Sequence, residues 1–119
     1  MSEKTAQTQQ DALQAWTYAT TCLLHEAAPG PEHVDFGSGT ETVRMPRTEA
    51  VQRVFAQNML RHCDADLERL QAAGRFCART AADFQQSCPG YAHQQSRAAD
   101  LCRRAVRMVI EDGGTVPPR

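Results

Sequence analysis

The chain has 119 residues, with thirteen basic and fourteen acidic side chains and a net charge of −1. This length supports one domain, and the balanced charge excludes a whole-chain attraction to nucleic acid. Aromatic residues make up only 6%, so we expect a thin core that oligomerisation would enlarge. We find no signal peptide and no run of apolar residues long enough to cross a membrane, which predicts a cytoplasmic protein.

The first predicted element is an amphipathic helix. Residues 1–10 are polar and rich in glutamine, and we expect this N-terminus to be flexible. Apolar residues then recur at helical spacing, which predicts a helix over about 6–28 that ends before the prolines at 29 and 31. Trp16 and Tyr18 face different sides of this helix, so one of them is a candidate for an exposed contact.

Residues 29–47 differ in composition, because three prolines and three glycines interrupt them, with serine and threonine between. They predict a long, mobile connector after the first helix. The alternation in Glu41–Met45 is too short to predict a strand.

A second helix is predicted over 48–79, with Thr48 as its N-cap. Its apolar stripe repeats at steps of four and three residues, through Ala56, Leu60, Cys63, Leu67, Leu70, Gly74 and Cys77. Gly74 is the weak point of this helix, because glycine costs about 1 kcal/mol relative to alanine.

The segment that follows resembles a helix start, since Thr80 is a suitable N-cap and Asp83 stands three residues later. A third helix is therefore predicted from Ala81. Pro89-Gly90 either kinks it or places Pro89 in the first turn of a new helix. The last helix is predicted over about 91–112, followed by a disordered tail over 113–119.

Together these patterns predict an all-α fold of three to four amphipathic helices, with residues 11–112 as a single domain. The helices would form either an antiparallel bundle or an extended helical hairpin. The long loop rich in proline and glycine would follow the first helix.

Cysteine and histidine residues offer one alternative, a metal site for Zn or Cu(I). Its ligands would be Cys22, His25 and Cys63, with His62 or His93. These residues are scattered, so we expect no metal and no other cofactor. The five cysteines are expected to be free thiols that pack as small apolar side chains. His62 and Cys63 are adjacent on a helix and point about 100° apart, and we therefore expect no catalytic residues.

The last helix is basic through Arg97, Arg103, Arg104 and Arg107. We interpret these arginines as a solvated face, diluted by Asp100 and Glu111. An anionic lipid or nucleic-acid surface is the weaker alternative, and we expect no nucleic-acid partner.

The segments Ala78–Gln86, Tyr91–Gln95 and Arg103-Arg104 resemble the central pattern of the short phasins, helical proteins that coat polyhydroxyalkanoate granules in bacteria. The segment Gln57–Leu70 resembles the first long helix of that family. This resemblance implies a non-enzymatic protein associated with granules and acting through an apolar helix face. The face is predicted to consist of Phe55, Met59, Leu60, Leu67, Leu70, Phe76 and Phe84.

The same amphipathic pattern is compatible with two other uses of the stripe. A helix with these residues can bury them against its own bundle or in a homo-oligomer, and it can dock another helical protein. The alternative function is accordingly a small cytoplasmic helical interaction module.

Overall fold

A computed structural model describes residues 2–38 and 40–111 of the chain. The described part is mainly helical, as predicted, but it also contains a two-stranded antiparallel sheet. Residue 112 and the 113–119 tail lie outside the described residues. The elements in chain order are α1 Glu3–Ala27, β1 His33–Ser38, β2 Glu41–Pro46, α2 Arg47–His62, α3 Leu67–Phe84 and α4 Pro89–Glu111.

Helix α1 packs on all three other helices, and α3 and α4 form a closely packed hairpin. Asp11 meets His62 near one end of α1, whereas Glu26 meets Gln52 near the other, so α1 and α2 are antiparallel. Helices α2 and α3 both contact α1 and α4 but make almost no contact with each other. The molecule is only 17 Å across its thinnest dimension, which corresponds to two layers of helices.

Helix α1 begins earlier than the sequence predicts. Ser2 is its N-cap, and its hydroxyl accepts a hydrogen bond from the amide of Thr5 at 3.1 Å. Glu3 in the first turn complements the helix dipole. Most of the segment 1–10, which we expected to be flexible, is therefore part of this helix.

The prediction of a connector without strands over 29–47 is wrong. β1 and β2 form a hairpin whose register runs from the pair His33–Pro46 to the pair Ser38–Glu41. Gly37 has a φ of 141°, and a side chain there would collide with the carbonyl oxygen of Glu41. A two-stranded hairpin is marginal alone. The burial of Met45 and the contacts of both strands with α2 support this one.

Arg47 ties the base of this hairpin to the end of α1. Its guanidinium donates hydrogen bonds of 2.7–3.3 Å to four carbonyl oxygens. These belong to His25, Glu26, Ala28 and Pro31. The last carbonyls of a helix have no partner within it and carry its negative dipole end. One arginine therefore satisfies both the helix end and the loop.

The predicted helix over 48–79 is two helices. The chain turns at Cys63–Asp66, where Asp64 and Ala65 have φ values of 54° and 55°. Asp66 caps α3 by accepting hydrogen bonds from the amides of Glu68 and Arg69. The predicted cap at Thr48 is also wrong, since α2 already begins at Arg47.

The predicted helix start at Thr80 is not a boundary. Thr80 lies inside α3 and donates a hydrogen bond to the carbonyl oxygen of Phe76 at 2.9 Å, a local bond that threonine makes within helices. Helix α3 continues to Phe84, and α4 begins at Pro89. The structure thus shows the second of the two alternatives for Pro89, in which proline occupies the first turn of a new helix.

The core consists mainly of small side chains, which explains how four helices fit into a thin molecule. Its fully buried larger residues are Met59, Leu60, Leu70 and Leu101, and alanine and cysteine fill most of the remaining space. No helix in the described part of the chain has the length and apolar character needed to span a membrane.

Candidate binding surfaces

The seven residues predicted to form one apolar face do not lie on one surface. Met59, Leu60 and Leu70 are fully buried in the bundle core, and Phe55 and Leu67 pack against that core. Phe76 is also partly buried against the core, and Phe84, at 40%, is the exposed member of the seven. The middle of the predicted stripe is therefore used to hold the bundle together, and no outside surface reaches it while the bundle is closed.

Phe76 and Phe84 belong to a different apolar surface, which three helices build together. We call it the aromatic patch and define it as Leu13, Trp16, Phe76, Phe84 and Tyr91. The Trp16 and Tyr91 ring centroids are 6.2 Å apart, and Phe84 meets Tyr91 edge to face at 5.1 Å. Leu13, Trp16, Phe76 and Tyr91 also share a cavity of about 180 Å³. The five side chains are thus contiguous.

The chain exposes the patch because it turns between α3 and α4 at this point. Phe84 is the last residue of α3, and Tyr91 lies in the first turn of α4, so neither ring is covered by a further helical turn. Tyr91 is 37% exposed and Leu13 62%. Trp16 is fixed by a hydrogen bond of 3.1 Å from its indole nitrogen to Gln94. The other residues around the cavity are the uncharged Gln9, Ala12 and Gln95.

Leu13 and Tyr91 were not predicted to belong to this surface. Trp16 was one of two candidates for an exposed contact, and the other, Tyr18, packs on Phe55 with ring centroids 6.0 Å apart. The sequence does indicate that Phe84 and Tyr91 lie near each other, because they flank Pro89 at the α3–α4 turn. It does not indicate that α1 packs beside this turn and brings Trp16 into contact with Tyr91.

A second surface feature is a groove of about 830 Å³ on α4, between α2 and α3. It is open because these two helices hardly touch. We call it the arginine groove, since five arginines and one acidic residue line it: Arg75, Arg97, Arg103, Arg104, Arg107 and Asp100. Four of these arginines were predicted to form a solvated face. The structure adds Arg75 from α3 and gives the arginines a concave surface with apolar residues in it.

Part of this positive charge is compensated within the bundle. Arg97 binds Glu26 at 2.7 Å. Arg104 binds both carboxylate oxygens of Glu49 at 2.9 Å and the side-chain oxygen of Gln52 at 2.8 Å. The hydrogen bonds from Arg104 are the main cause that lowers the pKa of the Glu49 carboxyl, so this pair is ionised near neutral pH.

A third cluster surrounds Asp11, whose carboxylate is fully buried. It accepts two hydrogen bonds from Arg69, at 2.9 and 3.0 Å, and one from Gln7 at 2.9 Å. The His62 ring lies 3.0 Å away. Burial acts to raise the pKa of Asp11, but the hydrogen bonds and the charge of Arg69 outweigh it and lower that pKa. This cluster joins α1 to both sides of the α2–α3 turn, and we assign it a structural role.

Four of the five cysteines, Cys22, Cys63, Cys77 and Cys102, are buried, whereas Cys88 is exposed. Within residues 2–38 and 40–111, no three cysteine, histidine, aspartate or glutamate side chains are close enough to hold a metal ion. Cys22 donates to Glu26, and His25 packs on Phe55. Burial raises the pKa of Cys22 and Cys77 to about 11 each and that of Cys63 to about 12. These thiols are protonated near neutral pH, and a protonated thiol is a weak nucleophile.

Comparison of the chain with protein-family models, with curated proteins and with solved structures gives no significant match.

Proposed function

We propose that this protein is a non-enzymatic binding protein that attaches to the surface of polyhydroxyalkanoate granules through the aromatic patch. The observation that carries the proposal is one uncharged apolar surface in which the exposed Leu13, Phe84 and Tyr91 adjoin the partly buried Trp16 and Phe76. An apolar patch on the surface of a soluble bundle is typical of a binding site. Adsorption would gain about 25 cal/mol for each Å² of apolar area removed from water.

The resemblance to the short phasins supports the granule as the target. The segments that carry it, Ala78–Gln86 and Tyr91–Gln95, supply Phe84 and Tyr91 to the patch. The binding residues would therefore lie at the α3–α4 turn and not on the predicted stripe. The bundle would bind in its closed state, with Met59, Leu60 and Leu70 still buried in the core. Such binding also implies a cytoplasmic protein that accumulates on granules.

The test is sedimentation with polyhydroxyalkanoate particles. We expect the double variant Phe84→Ser/Tyr91→Ser to bind at least tenfold more weakly than the wild type. The matched control is Leu24→Ser/Ile110→Ser, which removes two exposed apolar residues outside the patch and should bind normally. Binding should also persist when the salt concentration is raised, because no charged side chain contributes to the patch.

Two results would overturn the proposal. One is equal binding by the wild type and the patch variant, and the other is binding no stronger than that of an unrelated helical bundle. A thiol reagent added to particle-bound protein distinguishes a closed bundle from an opened one. The buried Cys63 and Cys77 should stay unreactive on the particles, whereas adsorption through the buried stripe would expose them.

A further inference from the structure

We propose that the arginine groove docks an amphipathic helix of a partner protein whose apolar stripe is flanked by acidic residues. This inference is independent of the granule proposal, because the groove and the aromatic patch share no residue. The groove is cationic, whereas the aromatic patch is uncharged.

The shape of the groove favours a helix as its occupant. Helices α2 and α3 both pack on α4 without closing over it, and this leaves a trough of about 830 Å³. The lining on α4 extends from Arg97 to Arg107, a distance of about 15 Å along a helix. Such a trough accommodates about three turns of a further helix packed between its two neighbours.

The floor of the groove is apolar or small, which suits a helix that buries one face. Leu70 and Gly74 of α3 and Leu101 and Cys102 of α4 lie buried beneath the groove. The small or apolar side chains that reach its surface are those of Ala78 and Val106. No aromatic residue is among the groove-lining side chains, so the groove lacks the aromatic platform on which single-stranded nucleic-acid sites stack their bases. An apolar floor without aromatic side chains fits a protein helix better than a nucleic acid.

The charge of the groove selects an acidic partner. Arg97 and Arg104 are held by Glu26 and Glu49, and Arg103 pairs with Asp100. Arg75 and Arg107 make no ion pair with any side chain in the described part of the chain, and both are exposed. One of them stands on α3 and the other on α4. Carboxylates on both flanks of a docked helix would therefore meet a free guanidinium, and Arg binds carboxylates in a bidentate manner.

The binding test uses a synthetic helical peptide with leucine at positions i, i+3, i+4 and i+7 and glutamate on the flanks. Two further peptides serve as controls, one with lysine in place of glutamate and one with serine in place of leucine. Fluorescence anisotropy with the full chain should show at least tenfold weaker binding of each control. Binding of the glutamate peptide should weaken as salt is added.

Variants of the protein locate the site. Arg75→Glu and Arg107→Glu should each weaken binding of the glutamate peptide by about tenfold, whereas Arg44→Glu, on the exposed hairpin, should not. Ala78→Trp fills the groove from an exposed position on α3 without changing the charge, and it should also block binding. Ala82→Trp, one turn further along the same helix and outside the groove, is its matched control.

The thermal unfolding of each variant should stay close to that of the wild type, since these positions are exposed. Equal affinity for the glutamate and lysine peptides would overturn the inference. So would tighter binding of a single-stranded oligonucleotide than of the glutamate peptide. A dimer of the wild type that Ala78→Trp converts to a monomer would also overturn it, because a second copy of this chain would then occupy the groove.

Discussion

Gly74 of α3 lies so close to Cys102 of α4 that a Cβ atom on Gly74 would stand 3.2 Å from the Cβ of Cys102. This distance is shorter than an ordinary van der Waals contact between carbon atoms. The sequence identified Gly74 as a weak point of its helix. The structure shows that the missing side chain allows α3 and α4 to approach closely.

We predict that Gly74→Val lowers the free energy of unfolding by about 1–3 kcal/mol, because it overpacks this contact. Urea denaturation measures the change. The matched control is Gly90→Ala in the first turn of α4, where a Cβ would meet no atom within 4 Å. We expect that control to stabilise the protein by about 0.4–1 kcal/mol. A stabilising effect of Gly74→Val would contradict the close packing of the two helices.

The free energy of unfolding should fall by different amounts when Asp11 or Arg69 is replaced. Arg69→Met leaves the fully buried Asp11 without its charge partner, and we predict a cost of about 3–5 kcal/mol. Asp11→Asn leaves Arg69, which still reaches solvent, and should cost about 1–3 kcal/mol. In a double-mutant cycle by urea denaturation, the double variant should lose less than the two single changes together. Strict additivity would show that the two side chains do not interact.

Acid should destabilise the fold through the same carboxylate. The pKa of Asp11 is lower in the folded chain than its ordinary value, so the folded state favours the ionised form. Its contribution is complete above the unfolded pKa of about 3.9 and is lost as the pH falls below it. Unfolding followed from pH 7 to pH 2 should therefore show a steep loss of stability below about pH 4. The loss should be shallower in Asp11→Asn, although Glu49, whose pKa is also lowered, keeps part of it. Identical pH profiles for both proteins would refute this origin.

The five cysteines should fall into two reactivity classes. Cys88 is exposed, whereas Cys22, Cys63, Cys77 and Cys102 are buried. A maleimide or disulfide reagent at neutral pH should modify one thiol quickly, and the other four only after unfolding, because they are inaccessible and protonated. Mass spectrometry gives the stoichiometry. Cys88→Ser should remove the fast reaction, and a second fast thiol in that variant would mean that the core opens readily.

The helical character of the chain was predictable, but the boundaries were not, and the turn at Cys63–Asp66 shows why. The apolar stripe continues in register from Leu60 to Leu67, so periodicity alone predicts one helix. The break contains no glycine or proline. It depends on left-handed conformations at Asp64 and Ala65, which cost energy for residues with a side chain. Only Asp66 gave a local signal, as a capping residue ahead of a new helix.

At Thr80 a helix boundary was predicted where none exists. Threonine is a suitable N-cap, but Thr80 lies inside α3 and caps no helix. Its hydroxyl bonds back to Phe76 within the helix, and the packing of α3 on α4 overrides the local preference.

The aromatic patch and the arginine groove could not be predicted from the sequence, for another reason. Trp16 and Tyr91 are far apart along the chain, as are Gln52 and Arg104, and a side-chain pattern within one helix does not show which helices become neighbours.

The position of α1 has a consequence for how the chain is made. Trp16 bonds to Gln94, and Glu26 bonds to Arg97, so the partners of the first helix lie in the last one. During synthesis, at about 5–20 residues per second, α1 leaves the ribosome several seconds before α4 exists. During that interval the apolar side of α1 lacks its contacts with α4. Exposed apolar surface on a nascent chain favours aggregation, and in this chain the exposure of α1 ends only after α4 has been made.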